Sequence, residues 1–129
     1  MGPYRLQLKS KIHRAVVTAA DLHYIDSVTI DENLMEKADL WEGEKVLVVD
    51  NTNGERLETY VIKGARGSGT ICMNGAASHK IKTSDEVIIM SFGVSDKPIK
   101  AKNILVDNRN RFVRFISKDE LRRGKLEGD

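Results

Sequence analysis

The residue types that most often carry enzyme chemistry are few in this sequence and form no familiar pattern. The three histidines, His13, His23 and His79, lack the spacing of a metal site. The single cysteine, Cys72, cannot form an internal disulfide, and its apolar surroundings favour a role as a small buried side chain. No Gly-x-Ser-x-Gly elbow, His-Glu-x-x-His motif or phosphate-binding glycine loop occurs. Neither a zinc site nor a hydrolase triad is therefore predicted.

A set of short motifs, by contrast, occurs in one order along much of the chain. They are Lys11-Ile12-His13-Arg14, Thr18, Ala20-Asp21-Leu22-His23-Tyr24, Ser27, Ile30-Asp31, Thr52-Asn53-Gly54, Arg56, Thr59-Tyr60 and Asn74-Gly75-Ala76-Ala77. Together they resemble the pyruvoyl-dependent aspartate 1-decarboxylase family. Several separated motifs in the expected order and spacing are far more specific than any one of them alone. The resemblance runs from about residue 6 to residue 92 and fades beyond, and the tail from residue 117 has no counterpart.

This resemblance implies a mainly β fold, a six-stranded double-psi β-barrel with a few short helices, as a single domain over residues 1–129. It also implies a homotetramer with active sites between neighbouring subunits. Family members are made as a proenzyme whose chain breaks before a serine, which here is Ser27. Cleavage would leave residues 1–26 as the β chain and residues 27–129 as the α chain. We expect the segment 117–129 to be loosely ordered.

Such a cleavage would turn Ser27 into the enzyme's own electrophile. The serine hydroxyl attacks the preceding carbonyl, the amide becomes an ester, and β-elimination followed by hydrolysis leaves a pyruvoyl group. The ketone forms a Schiff base with the amine of L-aspartate and accepts the electrons released with carbon dioxide, so β-alanine forms without a metal or an external cofactor. The implied role is in pantothenate and coenzyme A biosynthesis.

The family also assigns roles to other residues of these motifs. Lys11 and Arg56 match the basic pair that holds the substrate carboxylates, which suits charged hydrogen-bond donors. Thr59 matches the residue that assists the serine attack by polarising the neighbouring carbonyl. Tyr60 matches the proposed proton donor after decarboxylation. Taken alone, each of these side chains would be an ordinary strand or surface residue.

The remaining matched residues are implied to line the substrate pocket. Tyr24 and Asn74 correspond to side chains that hydrogen-bond the reacting groups. Gly75, Ala76 and Ala77 correspond to a stretch that keeps the backbone close to the substrate. Without the resemblance, Asn74-Gly75 would be interpreted as a tight turn.

One position departs from the family, which usually has glycine before the serine, whereas this chain has Asp26. Aspartate tolerates the left-handed region, so the backbone can keep its geometry. Its carboxylate would lie beside a developing oxyanion, and like charges about 4 Å apart cost up to about 4 kcal/mol at an effective dielectric constant near 20. We therefore expect slow cleavage of the Asp26–Ser27 bond. The alternative is an uncleaved, catalytically silent homologue that serves as a binding or scaffold barrel.

The elements that must position these residues are mostly short strands. Alternating polarity over residues 5–12, continued by residues 15–18, predicts an opening hairpin or a bent strand. Asp31 is expected to cap one short helix and Ser117 to begin another through a capping box. Turns at residues 50–54 and 107–110 are each expected to join two strands as a hairpin. Further strands are predicted at residues 27–30, 45–49, 56–62, 70–73, 86–90, 104–106 and 112–115.

Composition narrows the classes of function. Hydrophobic residues make up 40% of the chain and charged residues 31%, and no apolar run approaches the length that spans a bilayer. The 21 basic and 19 acidic residues are intermixed and aromatic content is 5%, so nucleic-acid binding is not predicted. The N-terminal residues lack the apolar segment of a secretory signal, and the expected location is the cytoplasm. Some family members need an acetyltransferase-like maturation factor, and the sequence does not decide this for the chain.

Overall fold

The computed structural model describes residues 2–128, which form nine β-strands and two α-helices. The strands are β1 (Arg5–Val16), β2 (Ala19–Asp21), β3 (Ser27–Asp31), β4 (Lys45–Asp50), β5 (Arg56–Gly64), β6 (Ile71–Asn74), β7 (Glu86–Ser95), β8 (Lys102–Val106) and β9 (Phe112–Phe115). The helices are α1 (Glu32–Ala38) and α2 (Lys118–Arg123), and a short 3₁₀ helix (Gly75–His79) follows β6. The mainly β fold with few short helices is confirmed. The described sheet has nine strands rather than six, because short pairings such as that of β2 with β6 belong to it.

The first strand is long and bent. Its pairing with β7 shifts register between Leu8 and Ser10 and again between Ile12 and Ala15. Arg14 lies within the second shift with a φ of 67°, an unusual value for a residue with a side chain. The same strand pairs antiparallel with β7 on one side and parallel with β8 on the other. Of the two predictions for this segment, the bent strand is correct and the hairpin is wrong.

Strands β4 and β5 form the predicted hairpin through the predicted turn. Lys45 pairs with Tyr60 and Val49 with Arg56 across the two antiparallel strands. Gly54 has a φ of 80°, and its amide donates to the Asp50 carbonyl at 2.8 Å. A glycine adopts this left-handed turn conformation without steric cost. The second predicted hairpin, β8 with β9, is also present.

Strand β3 lies between two strands that are distant in sequence. The sheet order is β2-β6-β3-β5-β4-β7-β1-β8-β9. Ser27 of β3 is paired with Asn74 of antiparallel β6, and Val28 is paired with Val61 of parallel β5. The start of β3 is thereby held next to the end of β6.

The core is formed by apolar side chains that alternate along the strands. The fully buried ones include Ile12, Val28, Ile30, Val48, Val61, Ile71, Met73, Ile89 and Ile104. Helix α1 adds Leu34, Met35 and Ala38, and its N-cap is Asp31, whose carboxylate accepts from the Asn33 amide at 2.9 Å. The predicted cap and helix are confirmed. Burial of this apolar stripe against the strands is what stabilises so short a helix.

The C-terminal segment contains the short helix that its capping box predicts. Ser117 and Glu120 form the predicted capping box at the start of α2, and Gly124 ends the helix in the left-handed conformation. The Glu120 carboxylate is 3% exposed and accepts from both terminal nitrogens of Arg114, each at 2.7 Å. This hydrogen-bonded guanidinium is the main cause that holds the pKa of Glu120 far below its usual value. Within residues 2–128, no helix is both long and apolar enough to cross a bilayer.

Candidate active site

Ser27 lies where an exposed loop enters the buried strand β3. Residues 21–26 are all exposed, whereas Ser27 is 0% exposed. Its Oγ donates to the Ile25 carbonyl at 3.1 Å and accepts from Asn74 Nδ2 at 2.8 Å. The hydroxyl is therefore held by two hydrogen-bond partners at the point where the exposed loop joins the sheet.

Asn74 connects this hydroxyl to the rest of strand β6. Its side chain is 3% exposed, and Nδ2 also donates to Thr29 Oγ1 at 3.0 Å. The Oδ1 atom accepts from Cys72 Sγ at 3.1 Å. All four polar groups thus belong to one network, in which the amide is oriented by a donor on one side and two acceptors on the other.

Cys72 has a more polar role than its sequence context suggested. It is half-buried rather than fully buried, and its thiol is a hydrogen-bond donor within the network of Asn74. Burial, with a smaller contribution from Asp21, raises the pKa of the Cys72 thiol. The thiol therefore keeps its proton at neutral pH. The sequence did carry a signal for this contact. Cys72 and Asn74 are two residues apart, so both side chains lie on the same face of a strand.

Gly75 allows the end of β6 to contact the loop that leads to Ser27. Its φ is 67°, and a Cβ at this position would lie 2.8 Å from Asp26 Cα, Asp26 N and the Tyr24 carbonyl oxygen. Contacts this short with backbone atoms are not tolerated. Glycine is therefore required both for its conformation and for the close approach of the loop backbone.

The carboxylate of Asp26 turns back toward two groups from other elements. Its Oδ1 accepts from the Ala77 amide at 3.1 Å, and its Oδ2 accepts from Thr59 Oγ1 at 3.5 Å, the long end of the hydrogen-bond range. The structure thus brings together six of the residues that the family resemblance assigned to the site. They are Asp26, Ser27, Thr59, Asn74, Gly75 and Ala77.

Other assigned residues on β5 and its surroundings lie on an outer face. Along β5, Thr59 points inward and is buried, whereas Arg56 and Tyr60 are exposed. Tyr60 is 38% exposed and Tyr24 of the loop is 53% exposed. Ala76 is exposed as well. These four side chains are open to solvent, in contrast to the buried network of Ser27 and Asn74.

Lys11 is separate from Ser27 within one chain. Three strands lie between β1 and β3 in the sheet order. Lys11 instead lines a small cavity of about 130 Å³ with His13 and residues of the C-terminal segment such as Glu120. Among residues 2–128, neither Lys11 nor Arg56 forms an ion pair, so both cationic groups are available to an anionic ligand. In the same range, no group of three or more His, Cys, Asp and Glu side chains could hold a metal ion.

Comparison with known proteins identifies the family. The family described as aspartate decarboxylase matches residues 4–113. The chain belongs to the aspartate decarboxylase family. The match extends beyond residue 92, where the resemblance in the motifs ended. Strands β8 and β9 carry none of those motifs, so the motifs alone did not reveal this part of the match.

Relatives with the name aspartate 1-decarboxylase match most of the chain. The protein from Acetivibrio thermocellus is 53% identical over 117 residues, which cover 88% of this chain and 93% of that protein. The protein from Caldicellulosiruptor saccharolyticus is 54% identical over 117 residues, covering 88% and 91%. Among solved structures, the computationally designed protein msDPBB_sym2 matches 69% of this chain and 99% of its own with 17% identity and a TM-score of 0.42. The mainly β structure with few short helices agrees with the fold class that the resemblance implied.

Proposed function

We propose that this chain decarboxylates L-aspartate to β-alanine and carbon dioxide, using a pyruvoyl group that it makes from Ser27. The observation that carries the proposal is the fully buried Ser27 hydroxyl, which Asn74 Nδ2 contacts at 2.8 Å where an exposed loop joins β3. Membership of the aspartate decarboxylase family supplies the reaction. The proposed setting is cytoplasmic synthesis of pantothenate and coenzyme A.

The chain would first break at the Asp26–Ser27 bond. Ser27 Oγ adds to the carbonyl carbon of Asp26, the C–N bond breaks, and the hydroxyl proton passes to the released amine, which leaves an ester. Loss of the Ser27 Cα proton then breaks the Cβ–Oγ bond by β-elimination. The leaving group is the new main-chain carboxylate at the end of residues 1–26. Water hydrolyses the resulting dehydroalanine and ammonia leaves. The products are residues 1–26 and a chain from residue 27 that begins with a ketone.

Local geometry supports this sequence of bond changes. The Asn74 amide donates to Ser27 Oγ, so it can hold that oxygen while the bonds around it change. Thr59 lies beside Asp26 and is 8% exposed, so its hydroxyl is a donor with little competing water. Gly75 lets the backbone around Asp26 lie against β6. Each of these residues thus contacts Asp26 or Ser27, the two residues of the bond that would break.

A pyruvoyl group at position 27 supplies a ketone that withdraws the electron pair released with carbon dioxide. The residues at this position fit such a group, because the Asn74 amide and the Thr29 hydroxyl lie beside residue 27 and could hydrogen-bond a ketone oxygen formed there. We assign Tyr60 as the proton donor to the product and Tyr24 as a hydrogen-bonding pocket residue. The phenols of both are exposed and can meet a substrate that enters from solvent.

Recognition of aspartate requires partners for two carboxylates. The guanidinium of Arg56 and the ammonium of Lys11 have no ion-pair partner within residues 2–128 and suit this task. Lys11 is separated from Ser27 within one chain. We therefore propose that the active site is completed by Lys11 of a second copy in a homotetramer. The backbone at Gly75, Ala76 and Ala77 would lie along the bound substrate.

Mass spectrometry of the purified intact chain tests the proposal. During incubation, the chain should split into residues 1–26 and a larger fragment whose new end is reduced by borohydride, and isotopically labelled aspartate should yield labelled β-alanine. Ser27→Ala should neither split nor turn over. If splitting begins only after a cell extract is added, a maturation factor is required. A single unbroken species that forms no β-alanine under either condition would contradict the proposal and favour the silent barrel.

A further inference from the structure

We propose that Asp26 is a built-in brake on the splitting of the chain, because its carboxylate engages the Thr59 hydroxyl and the Ala77 amide beside the bond that is cut. This inference rests on the proposed function. It gives a positioning role to the one residue of the cleavage junction that departs from the family's usual glycine.

The two contacts of Asp26 join three separate parts of the chain. Oδ1 accepts from the Ala77 amide at 3.1 Å and Oδ2 accepts from Thr59 Oγ1 at 3.5 Å. Asp26 lies in an exposed loop, but each of its carboxylate oxygens accepts from a group of the protein. The side chain thus anchors the loop next to the 3₁₀ helix and strand β5, in the conformation in which the bond to Ser27 is still intact.

The contact with Thr59 withholds the group that would assist cleavage. A threonine hydroxyl carries a single hydrogen, so while it is donated to the carboxylate it is not donated to the backbone carbonyl of Asp26. That carbonyl is where negative charge develops when Ser27 attacks. The carbonyl therefore lacks the donor that Thr59 would supply for as long as this contact persists.

The resting hydrogen bond of Ser27 agrees with a chain held before reaction. Its hydroxyl donates to the Ile25 carbonyl at 3.1 Å. The carboxylate of Asp26 adds a negative charge next to the carbonyl that Ser27 must attack, which disfavours the oxyanion. Loss of this charge would remove the repulsion and free the Thr59 hydrogen in one step.

Asp26→Asn is the sharpest test because asparagine keeps the shape of the side chain but has no charge. Its carbonyl can still accept from Ala77, and its amide donates to Thr59 Oγ1, which leaves the threonine hydrogen free. We expect Asp26→Asn and Asp26→Gly to split at least about tenfold faster than the natural chain. Glu58→Gln removes an exposed negative charge one residue from Thr59 on the opposite face and should leave the rate unchanged.

A double-mutant cycle with Thr59→Val distinguishes a brake that acts through Thr59 from a general effect of charge. In the Asp26→Asn chain the valine should slow splitting at least about tenfold, since the freed hydroxyl is lost. In the natural chain the same change should have little effect, because the hydroxyl is already engaged. Equal slowing in both chains would overturn the inference.

The contact itself can be measured without any cleavage. In the unsplit Ser27→Ala chain, the Ala77 amide should exchange its hydrogen several-fold more slowly than in Ser27→Ala combined with Asp26→Gly, as followed by NMR. Identical exchange would contradict the contact.

The two proposals fail in different ways. If the natural chain and Asp26→Asn split at the same rate, the brake is refuted and the proposed function stands. If neither the natural chain nor either Asp26 variant splits, with or without cell extract, both are refuted.

Discussion

At the cleavage junction, hydrogen bonds run from the Cys72 thiol through the Asn74 amide to the Ser27 hydroxyl. An amide can rotate by half a turn and exchange its donor for its acceptor. The protonated thiol prevents this, because Sγ donates to Oδ1 and thereby directs Nδ2 toward Ser27. A residue without an assigned role in the reaction thus orients one that touches the reacting oxygen.

Cys72→Val should therefore slow splitting of the chain about fivefold, which corresponds to the loss of one hydrogen bond of about 1 kcal/mol. Cys72→Ser keeps a donor at this position and should restore most of the rate. Thr70→Val removes a hydroxyl two residues earlier that does not contact Asn74 and serves as the control. Timed gels of the purified chains measure all three, and a serine variant as slow as the valine variant would refute the orienting role.

Asp50 is a buried carboxyl that the proposed reaction does not use. Its Oδ1 accepts from the Thr52 amide at 2.7 Å, whereas its buried Oδ2 has no hydrogen-bond donor within residues 2–128. Burial first, and then the neighbouring Asp85 carboxyl, raises the pKa of Asp50. Such a carboxyl opposes folding wherever it is ionised. The cost is complete above its folded pKa and fades as the pH falls toward the pKa of the unfolded chain.

Asp50→Asn should consequently raise the free energy of unfolding at neutral pH by about 1 kcal/mol. The amide keeps an acceptor for Thr52 and provides a donor for Asp85. The gain should shrink as the pH falls and disappear below about pH 3, where free aspartic acid is protonated. Urea titrations of the Ser27→Ala chain at both pH values measure it, with the exposed Glu58→Gln as the control. A lower stability of the asparagine variant at neutral pH would contradict the prediction.

Among the structural elements, the turn from β6 into the 3₁₀ helix has the tightest steric constraint on the site. Gly75 combines a left-handed φ of 67° with a backbone approach that leaves no room for a methyl group. Gly124 at the end of α2 has a similar φ of 65° but open space around it. Alanine substitutions at these two glycines therefore separate the free-energy cost of a left-handed backbone from the cost of a steric clash.

Gly75→Ala should destabilise the chain by more than about 2 kcal/mol and displace the loop that carries Asp26, so that splitting nearly stops. Gly124→Ala should cost only about 1 kcal/mol, the penalty for a left-handed conformation alone, and should leave splitting intact. Thermal unfolding and timed mass spectra measure the two effects. Similar losses in both variants would show that the close approach to Asp26 and Tyr24 is unimportant.

For the whole molecule, the separation of Lys11 from Ser27 leads to a prediction about assembly. If the site lies between subunits, a Lys11→Ala chain can still contribute an intact Ser27 and a Ser27→Ala chain an intact Lys11. One such site in a mixed oligomer would then have both residues. Coexpression of the two inactive chains should restore activity, to about a quarter of the natural level if subunits mix at random in a symmetric oligomer. Each variant alone should be inactive. Absence of activity in verified mixed oligomers would place both residues in one subunit's site.

Several features of this protein could be predicted from short stretches of its sequence. The cap at Asp31, the capping box at Ser117 and both hairpins depend on side chains that act within a few residues of one another, so their patterns are legible in the chain. The family was visible in the ordered motifs and is confirmed by the match over residues 4–113. The sequence also shows that Asp26 replaces the family's usual glycine, but it does not show what the Asp26 carboxylate contacts.

Only the tertiary structure decided what those residues contact. The pairing of β3 with β6 puts Asn74 against Ser27, and the loop geometry puts the Asp26 carboxylate against Thr59 and Ala77. Such contacts join positions dozens of residues apart, and the packing of the whole sheet selects them, whereas alternation and turn chemistry report only neighbours along the chain.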